Sequence, residues 1–126
     1  MKIRVYYEDT DCGNVVYYAN YLKYMERSRT ELMREHGIHL ADLHREGYLF
    51  AVVHADIRYR ASARYDDVLT VESEVSEMTS VSIVFRTTIH NEHGTLLVVG
   101  DVKLACINSK GRACRLPAMI KAHLGS

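Results

Sequence analysis

The sequence has no excess of charge of either sign. Lys and Arg total 16 and Asp and Glu total 16, so the formal net charge of the 126 residues is zero. Proteins that bind nucleic acid mainly through its phosphates usually present a broad basic face. The balanced charge therefore argues against a nucleic-acid partner, and it requires any anionic ligand to be held by a local group of residues.

Cysteine is scarce, and long apolar runs are missing. The three cysteines (Cys12, Cys106 and Cys114) leave one unpaired in any intramolecular scheme and contain no C-x-x-C, which disfavours a disulfide scaffold or a zinc ribbon. No run approaches the roughly 18 apolar residues of a spanning helix, and the N-terminus has no long apolar segment typical of a signal peptide. We expect a soluble, cytoplasmic protein without membrane insertion.

The length of the chain suits one domain, expected to cover residues 1–126. Residues 19–36 have the period of an amphipathic helix, with Asn20 as the expected N-cap and Gly37 as the terminator. On a helical wheel the apolar face spans roughly 140°. Its members are Tyr18, Tyr21, Leu22, Met25, Ser28, Leu32, Met33 and His36.

The remaining segments mostly show the two-residue period of strands. Strands are expected at 3–7, 51–61, 69–76, 81–90 and 96–107, a short helix or turn at 38–47, and a tail from 116. In the second strand the odd positions are apolar: Ala51, Val53, Ala55, Ile57 and Tyr59. One strand, a helix and four further strands predict an α+β fold in which an antiparallel sheet wraps around one helix.

An acidic loop precedes the helix. Glu8, Asp9 and Asp11 fall within four residues, and Gly13 follows, where glycine allows a close backbone approach or a positive φ. One interpretation is that the carboxylates only favour the positive helix N-terminus, but Asp11 lies about two turns upstream, beyond the reach of that effect. An EF-hand fails on register, because Gly13 would fall at the fifth position of the loop.

Two further interpretations of the loop are weak. A metal-binding Asp-x-Asp pair of nucleotide-sugar transferases would need a doubly wound sheet that this chain is too short to form. Cys12 has no nearby His to activate it as a nucleophile. A carboxylate beside the free amides of a helix N-terminus, by contrast, is the minimum equipment for acyl transfer: the amides stabilise an oxyanion, and the carboxylate attacks or activates water.

The loop and helix also carry a resemblance. The run Arg4–Tyr21, which contains Tyr7-Glu8-Asp9-Thr10-Asp11-Cys12-Gly13, and the following Glu26–Glu31 closely resemble the 4-hydroxybenzoyl-CoA thioesterase family. The nearest branch is the acyl-CoA thioesterases associated with Tol-Pal operons, and weaker similarity continues through Tyr59–Leu69. The resemblance implies a hotdog fold, five antiparallel strands around the long helix, and homodimers or homotetramers whose protomers pair edge to edge with interface active sites.

The resemblance implies specific roles in the hydrolysis of an acyl-CoA or acyl-carrier thioester to a free acid, without metal or cofactor. Asp11 is the expected nucleophile or general base, with Gly13 beside it, and the backbone N–H of Tyr18 is the expected oxyanion donor. Glu26 is a reserve catalytic carboxylate, because some hotdog thioesterases carry their acid on this helix. The expected substrate-binding residues are Tyr7, Val16, Tyr17 and Asn20.

The chain departs from the family pattern in two places. Tyr18 stands where the Tol-Pal-associated members usually carry His, which leaves both aryl and aliphatic acyl groups open. The segment Met78–Val81 lacks the basic residues that members often use for CoA phosphates. The substitutes available by composition are Arg58, Arg60, Arg64 and Arg86.

Other features leave alternatives open. A catalytically silent acyl-CoA-binding module, acting as a scaffold or ligand sensor, is the second hypothesis, whereas hydratase chemistry is disfavoured because no His lies between Met1 and Glu35. Arg29 falls on the apolar arc and forms either a buried ion pair with Glu26 or a subunit contact. Tyrosines around the helix start form either an acyl pocket or core and interface packing: Tyr7, Tyr17, Tyr18, Tyr21 and Tyr24.

Overall fold

The computed structural model describes residues 1–125, in which a five-stranded antiparallel sheet lies against one long helix. The strands are β1 (Lys2–Arg4), β2 (Leu49–Tyr59), β3 (Val68–Met78), β4 (Ser82–His90) and β5 (Leu96–Ile107). The helices are α1 (Asn20–Glu35), α2 (Leu40–Arg45) and α3 (Ala118–Leu124). The strands pair in the order β1-β3-β4-β5-β2, which confirms the predicted α+β plan.

The helix α1 packs closely on the inner face of the sheet. Its Met25 side chain reaches Gly100 in β5, where an added Cβ would lie 2.4 Å from Met25 Cε and 2.8 Å from Ile57 Cδ1. Interiors are close-packed, so a side chain at position 100 would force the ends of the Met25 and Ile57 side chains to move. Glycine at this position therefore leaves room for the Met25 side chain between helix and sheet.

The predicted limits of α1 are correct to within one residue at each end, and Gly37 follows with a φ of 78°. The sheet covers a narrower face of the helix than the sequence predicts. Members of the predicted face that are buried are Tyr21, Met25, Ser28 and Met33, and those that are exposed are Tyr18, Leu22 and His36. Tyr24 lies outside the predicted face and is nevertheless buried.

The first strand is shorter than predicted. β1 ends at Arg4, and residues 7–9 form one turn of 3₁₀ helix. The Asp9 Oδ2 atom accepts a hydrogen bond from the Tyr6 N–H at 2.9 Å, and the Tyr7 carbonyl accepts one from the Thr10 N–H at 3.1 Å. These local bonds compete with strand pairing and turn the chain away from the sheet.

A bulge interrupts β2 between Val52 and His54, and it changes which side chains face the core. An extra residue in a strand reverses the alternation beyond it. Phe50 pairs with the buried Cys106 and packs against the core, whereas Ala51 pairs with Ala105 on the other face. The prediction that all odd positions share one face is therefore wrong on the N-terminal side of the bulge.

The segment predicted as a short tail forms α3. Ile120 on this helix is fully buried, and the Leu116 N–H ahead of it donates to the Ser80 carbonyl at 2.8 Å. The C-terminal segment is thus part of the core. None of the helices in residues 1–125 is long and apolar enough to cross a membrane.

The two buried tyrosines of α1 differ in the state of their hydroxyl groups. The Tyr21 hydroxyl accepts a hydrogen bond from the Ala63 N–H at 2.9 Å, whereas the Tyr24 hydroxyl has no partner within hydrogen-bond distance among residues 1–125. Burial, followed by the nearby Asp9 carboxylate, raises the pKa of Tyr24. The unpaired, buried Tyr24 hydroxyl destabilises the folded state. The Tyr21 hydroxyl stabilises it, because without this acceptor the buried Ala63 N–H would be unsatisfied.

Removing these hydroxyls should therefore have opposite consequences. We expect Tyr21→Phe to lower the free energy of unfolding by about 1–3 kcal/mol, because the Ala63 N–H loses its acceptor. Tyr24→Phe serves as the matched comparison and should leave stability unchanged or slightly increased. Urea unfolding followed by circular dichroism measures both values, and an equal loss in the two variants would contradict the assignment.

Candidate active site

The acidic loop folds into a small hairpin immediately before α1. Thr10 bridges Val16, and the Asp11 N–H donates to the Val15 carbonyl at 2.9 Å. The tip is residues 12–14, where Asn14 has a φ of 60°. Gly13 was expected to allow either a close backbone approach or a positive φ; the positive φ belongs instead to Asn14, a residue type that tolerates the left-handed region.

The outer side of the hairpin is fixed to the loop that precedes β3. The Val16 N–H donates to the Ala63 carbonyl at 2.9 Å, and Val15 bridges Arg64. Val16 is 4% exposed, so its side chain belongs to the core. The hairpin is held on both sides and presents its tip to solvent.

Asp11 is exposed near this tip with one carboxylate oxygen fixed. Its Oδ1 accepts a hydrogen bond from the Gly13 N–H at 2.8 Å, and no cation of residues 1–125 forms an ion pair with it. An added Cβ at Gly13 would lie 3.3 Å from the same oxygen. Glycine at 13 therefore leaves room for the carboxylate, and the second carboxylate oxygen remains free to react.

The start of α1 is tied to the hairpin through the Asp9 carbonyl. That oxygen accepts the Tyr17 N–H at 2.9 Å and the side-chain amide of Asn20, also at 2.9 Å. Asn20 is not the N-cap as predicted; Ala19 holds that position and offers no side-chain acceptor. The amide of Asn20 instead anchors the first helical residue to the loop.

Open backbone donors remain at this end of the helix. The Asn20, Tyr21 and Leu22 N–H groups bond to carbonyls three residues back. The Tyr18 N–H, by contrast, donates no hydrogen bond within residues 1–125. A free amide at a helix N-terminus, supported by the helix dipole, is suited to bind an oxyanion.

Aromatic rings surround the helix start. The Tyr18 ring lies 4.8 Å from that of Tyr17 and 6.3 Å from that of Tyr59, and Tyr59 lies 5.6 Å from Tyr21. Tyr59 was not among the predicted site residues, although its predicted position on an apolar strand face was the available signal. Tyr7 is separate from this group and contacts Tyr65, with ring centroids 5.9 Å apart.

Two tyrosines of this group, Tyr21 and Tyr59, have raised pKa values. Burial raises the pKa of Tyr59, and the nearby Tyr18 raises it further. Burial is also the largest cause of the raised pKa of Tyr21, although the Ala63 hydrogen bond opposes it. These two phenols are therefore neutral at physiological pH.

Glu26 lies farther along α1 and is exposed. It accepts a hydrogen bond from the Thr30 hydroxyl at 3.2 Å. Within residues 1–125 it forms no ion pair with Arg29, so the buried-pair interpretation is wrong. Burial lowers the pKa of the half-buried Arg29, and the charge of Glu26 acts in the opposite direction.

The arginines considered for CoA phosphates are divided between two places. Arg58, Arg60 and Arg86 line one groove of about 280 Å³, where Arg86 is paired with Asp101 at 3.6 Å. Only Arg64 lies beside the hairpin, through its bridge to Val15. Among residues 1–125, no group of three or more His, Cys, Asp and Glu side chains is arranged to hold a metal ion.

Comparison with known proteins identifies relatives along nearly the whole chain. A family model described as the thioesterase-like superfamily matches residues 5–124. The acyl-CoA thioester hydrolase YbgC of Escherichia coli O6:H1 is 40% identical over 122 residues, which cover 96% of this chain and 91% of that protein. The acyl-CoA thioesterase YbgC of Haemophilus influenzae is 40% identical over 122 residues, covering 95% and 89% respectively.

The fold has equally clear counterparts among solved structures. A hypothetical protein from Thermus thermophilus is similar with a TM-score of 0.93 and 30% identity, over 99% of this chain and 95% of that one. The similarity therefore includes both the hairpin and the helix that follows it.

The left-handed residue at the hairpin tip gives a direct test of the loop geometry. We expect Asn14→Ala to lower the free energy of unfolding by about 1 kcal/mol, because Ala lacks the tolerance of Asn for a positive φ. Asn14→Gly should remain close to wild type, since relief of strain offsets the added entropy of the unfolded chain. Urea denaturation compares the two; a glycine variant as unstable as the alanine variant would rule out this loop conformation.

Proposed function

Because the chain belongs to the thioesterase-like superfamily, we propose that it hydrolyses an acyl-CoA thioester to a free carboxylic acid and CoA. The relatives named YbgC form the Tol-Pal-associated branch, so the resemblance found in the sequence is confirmed, as is the hotdog fold. The observation that carries the proposed mechanism is the exposed Asp11 carboxylate in a hairpin that is hydrogen-bonded to the start of α1. The expected cytoplasmic location remains part of this proposal.

In the proposed reaction Asp11 acts on the carbonyl carbon of the thioester. Its Oδ1 is held by the Gly13 N–H, which leaves the other oxygen to attack the carbon or to take a proton from an attacking water. Attack by the carboxylate would give a mixed anhydride that water then hydrolyses. In base catalysis, water would add directly to the thioester carbon and give the acid without a covalent intermediate. Both routes pass through a tetrahedral intermediate and expel the CoA thiolate.

The oxyanion of that intermediate is assigned to the start of α1. The Tyr18 N–H has no other acceptor within residues 1–125, and the positive end of the helix dipole lies behind it. Because the Tyr17 N–H is already bonded to the Asp9 carbonyl, the backbone direction at Tyr18 is fixed before substrate binds. Such preorganised donors stabilise the transition state more than the ground state.

The acyl group is assigned to the rings of Tyr17, Tyr18 and Tyr59 next to this amide, which together form a tyrosine wall. Tyr17 and Tyr18 are 48% and 60% exposed, and Tyr59 is 46% exposed, so their rings are available to a ligand. Val16 and Asn20, both expected substrate-binding residues, are assigned to the support of this wall, Val16 through core packing and Asn20 through its bond to the Asp9 carbonyl. Tyr7 is assigned to a more distant part of the substrate, beside Tyr65.

We propose that a second copy of the chain pairs with the free edge of β2. This eleven-residue strand pairs with β5 on one side only, and Val52 and Val53 are 55% and 56% exposed. A long apolar edge strand invites pairing with another chain, and natural monomers usually protect such edges. We therefore propose a homodimer formed through β2, with Tyr59 bringing the active site close to the interface.

The proposed mechanism predicts a severe defect in Asp11→Asn. The asparagine oxygen can keep the bond from the Gly13 N–H, so the fold should be intact, but the nucleophile or base is lost. We expect kcat/KM to fall by about 10²- to 10⁴-fold in a thiol-release assay on short, long and aromatic acyl-CoA esters. The matched variant Glu26→Gln should retain activity near that of the wild type.

The same assay separates this mechanism from its competitors. Activity that survives Asp11→Asn and disappears in Glu26→Gln would move the catalytic acid to α1. A wild-type protein that binds an acyl-CoA in calorimetry and releases no thiol would instead be the silent binding module.

The proposed dimer predicts that a charge on the β2 edge dissociates the protein. We expect Val52→Lys to reduce the mass measured by light scattering after size-exclusion chromatography to that of one chain, because burial of an unpaired lysine is unfavourable. Val81→Lys is the matched control, since Val81 is also exposed, at 39%, and does not belong to β2. An unchanged mass in both variants would exclude this edge as the interface.

A further inference from the structure

Two thiols that have no part in the proposed reaction lie in direct contact. Cys106 Sγ and Cys114 Sγ are 3.2 Å apart. Cys106 is close to the end of β5 and is fully buried, whereas Cys114 is partly exposed. The third cysteine, Cys12, is exposed at the tip of the active-site hairpin.

The backbone holds the two cysteines opposite each other. The Cys114 N–H donates to the Cys106 carbonyl at 3.0 Å. The next pair of residues toward the connecting turn, Ile107 and Ala113, forms an antiparallel bridge. Residues directly opposite in such a pair have Cβ atoms about 4.5–5.5 Å apart, compared with about 3.5–4.5 Å in disulfides. A small backbone adjustment closes this difference in Cβ distance, and the two sulfurs are already within 3.2 Å of each other.

We propose that Cys106 and Cys114 form a reversible dithiol–disulfide pair that reacts with small-molecule disulfides such as oxidised glutathione, and that Cys12 takes no part in it. The cysteine spacing disfavours a structural disulfide scaffold, but it does not exclude a reversible pair. A reversible pair requires only that two thiols are in contact and that the oxidant can reach one of them. Both conditions are met at this position, since Cys114 is partly exposed.

The exchange proceeds in two balanced steps. The Cys114 thiolate attacks one sulfur of oxidised glutathione, which forms a mixed disulfide and releases one molecule of glutathione. The Cys106 thiol then gives its proton to solvent and attacks Cys114 Sγ, which forms the protein disulfide and releases the second glutathione. Two electrons pass from the protein to the small disulfide, and dithiothreitol reverses the reaction.

The order of these steps follows from the burial of Cys106 and from its contact with Cys114. Burial, followed by contact with the Cys114 thiol, raises the pKa of Cys106 to about 12. Cys106 is therefore a poor nucleophile toward a disulfide molecule in solution. Its role in the second step is intramolecular, with the target sulfur already 3.2 Å away before the reaction, so proximity compensates for a small thiolate fraction.

The bond would fasten the C-terminal segment to the sheet. Cys114 leads to Leu116, whose N–H donates to the Ser80 carbonyl at 2.8 Å, and then to α3 with its buried Ile120. In the reduced protein, hydrogen bonds and packing hold this segment. In the oxidised protein, a covalent link to β5 restricts the unfolded chain as well.

The test uses Cys12→Ser, so that only the proposed pair remains. The protein is equilibrated in glutathione buffers of increasing oxidised fraction, quenched in acid, and alkylated with N-ethylmaleimide under denaturing conditions for intact-mass analysis. We expect both alkylation sites to disappear together, giving a chain without glutathione whose mass is two hydrogens below that of the reduced form. The control Cys12→Ser/Cys114→Ser should keep its Cys106 thiol alkylatable throughout.

Two results would overturn the proposal. One is retention of both alkylatable thiols at the most oxidising ratio, and the other is a stable glutathione adduct on Cys114 that Cys106 does not displace. Thermal unfolding gives a second readout: the oxidised Cys12→Ser protein should melt several degrees above its reduced form, and the control should not change. Identical melting temperatures would refute the fastening of the C-terminal segment.

Discussion

The carbonyl oxygen of Asp9 accepts hydrogen bonds from the Tyr17 N–H and the Asn20 side-chain amide, and the arrangement of the site depends on these two bonds. Asp11 lies two residues after the acceptor, and Tyr18 lies between the two donors. The separation of carboxylate and open amide is thus set largely by backbone atoms. In the proposed mechanism the oxyanion donor is the main-chain N–H of Tyr18, so a tyrosine side chain at this position would not remove it.

Much of the fold is local in origin and could be predicted from sequence. The 3.6-residue period of α1 and Gly37 after it define the helix to within one residue at each end, and the predicted limits of β5, Leu96 and Ile107, are those observed. Such patterns work because burial on one face imposes its period on the chain itself. The acidic loop could also be recognised from sequence, because its carboxylates and its glycine are neighbours along the chain.

What could not be predicted depends on contacts between distant residues or on local competition between hydrogen bonds. The bulge at Val53 changes the facing of half a strand without any sequence signal such as Gly or Pro. Tyr59 reaches Tyr18 only because the pairing of β2 with β5 places the end of β2 beside the start of α1. The first strand was predicted too long because the Asp9 carboxylate captures the Tyr6 N–H, a choice that alternation of apolar residues does not reveal.

The position of Tyr59 links assembly to chemistry in the proposed enzyme. Its ring contacts Tyr18 and Tyr21, while its backbone belongs to the strand with an unpaired edge. Each hydrogen bond added along that edge contributes roughly 0.5–1.5 kcal/mol net, and burial of the exposed valines adds more. Pairing of two such edges would therefore stiffen β2 over its whole length, and with it the part of the tyrosine wall that β2 supplies. In the proposed dimer, the second chain would thus support the tyrosine wall of the first chain through the paired β2 strands.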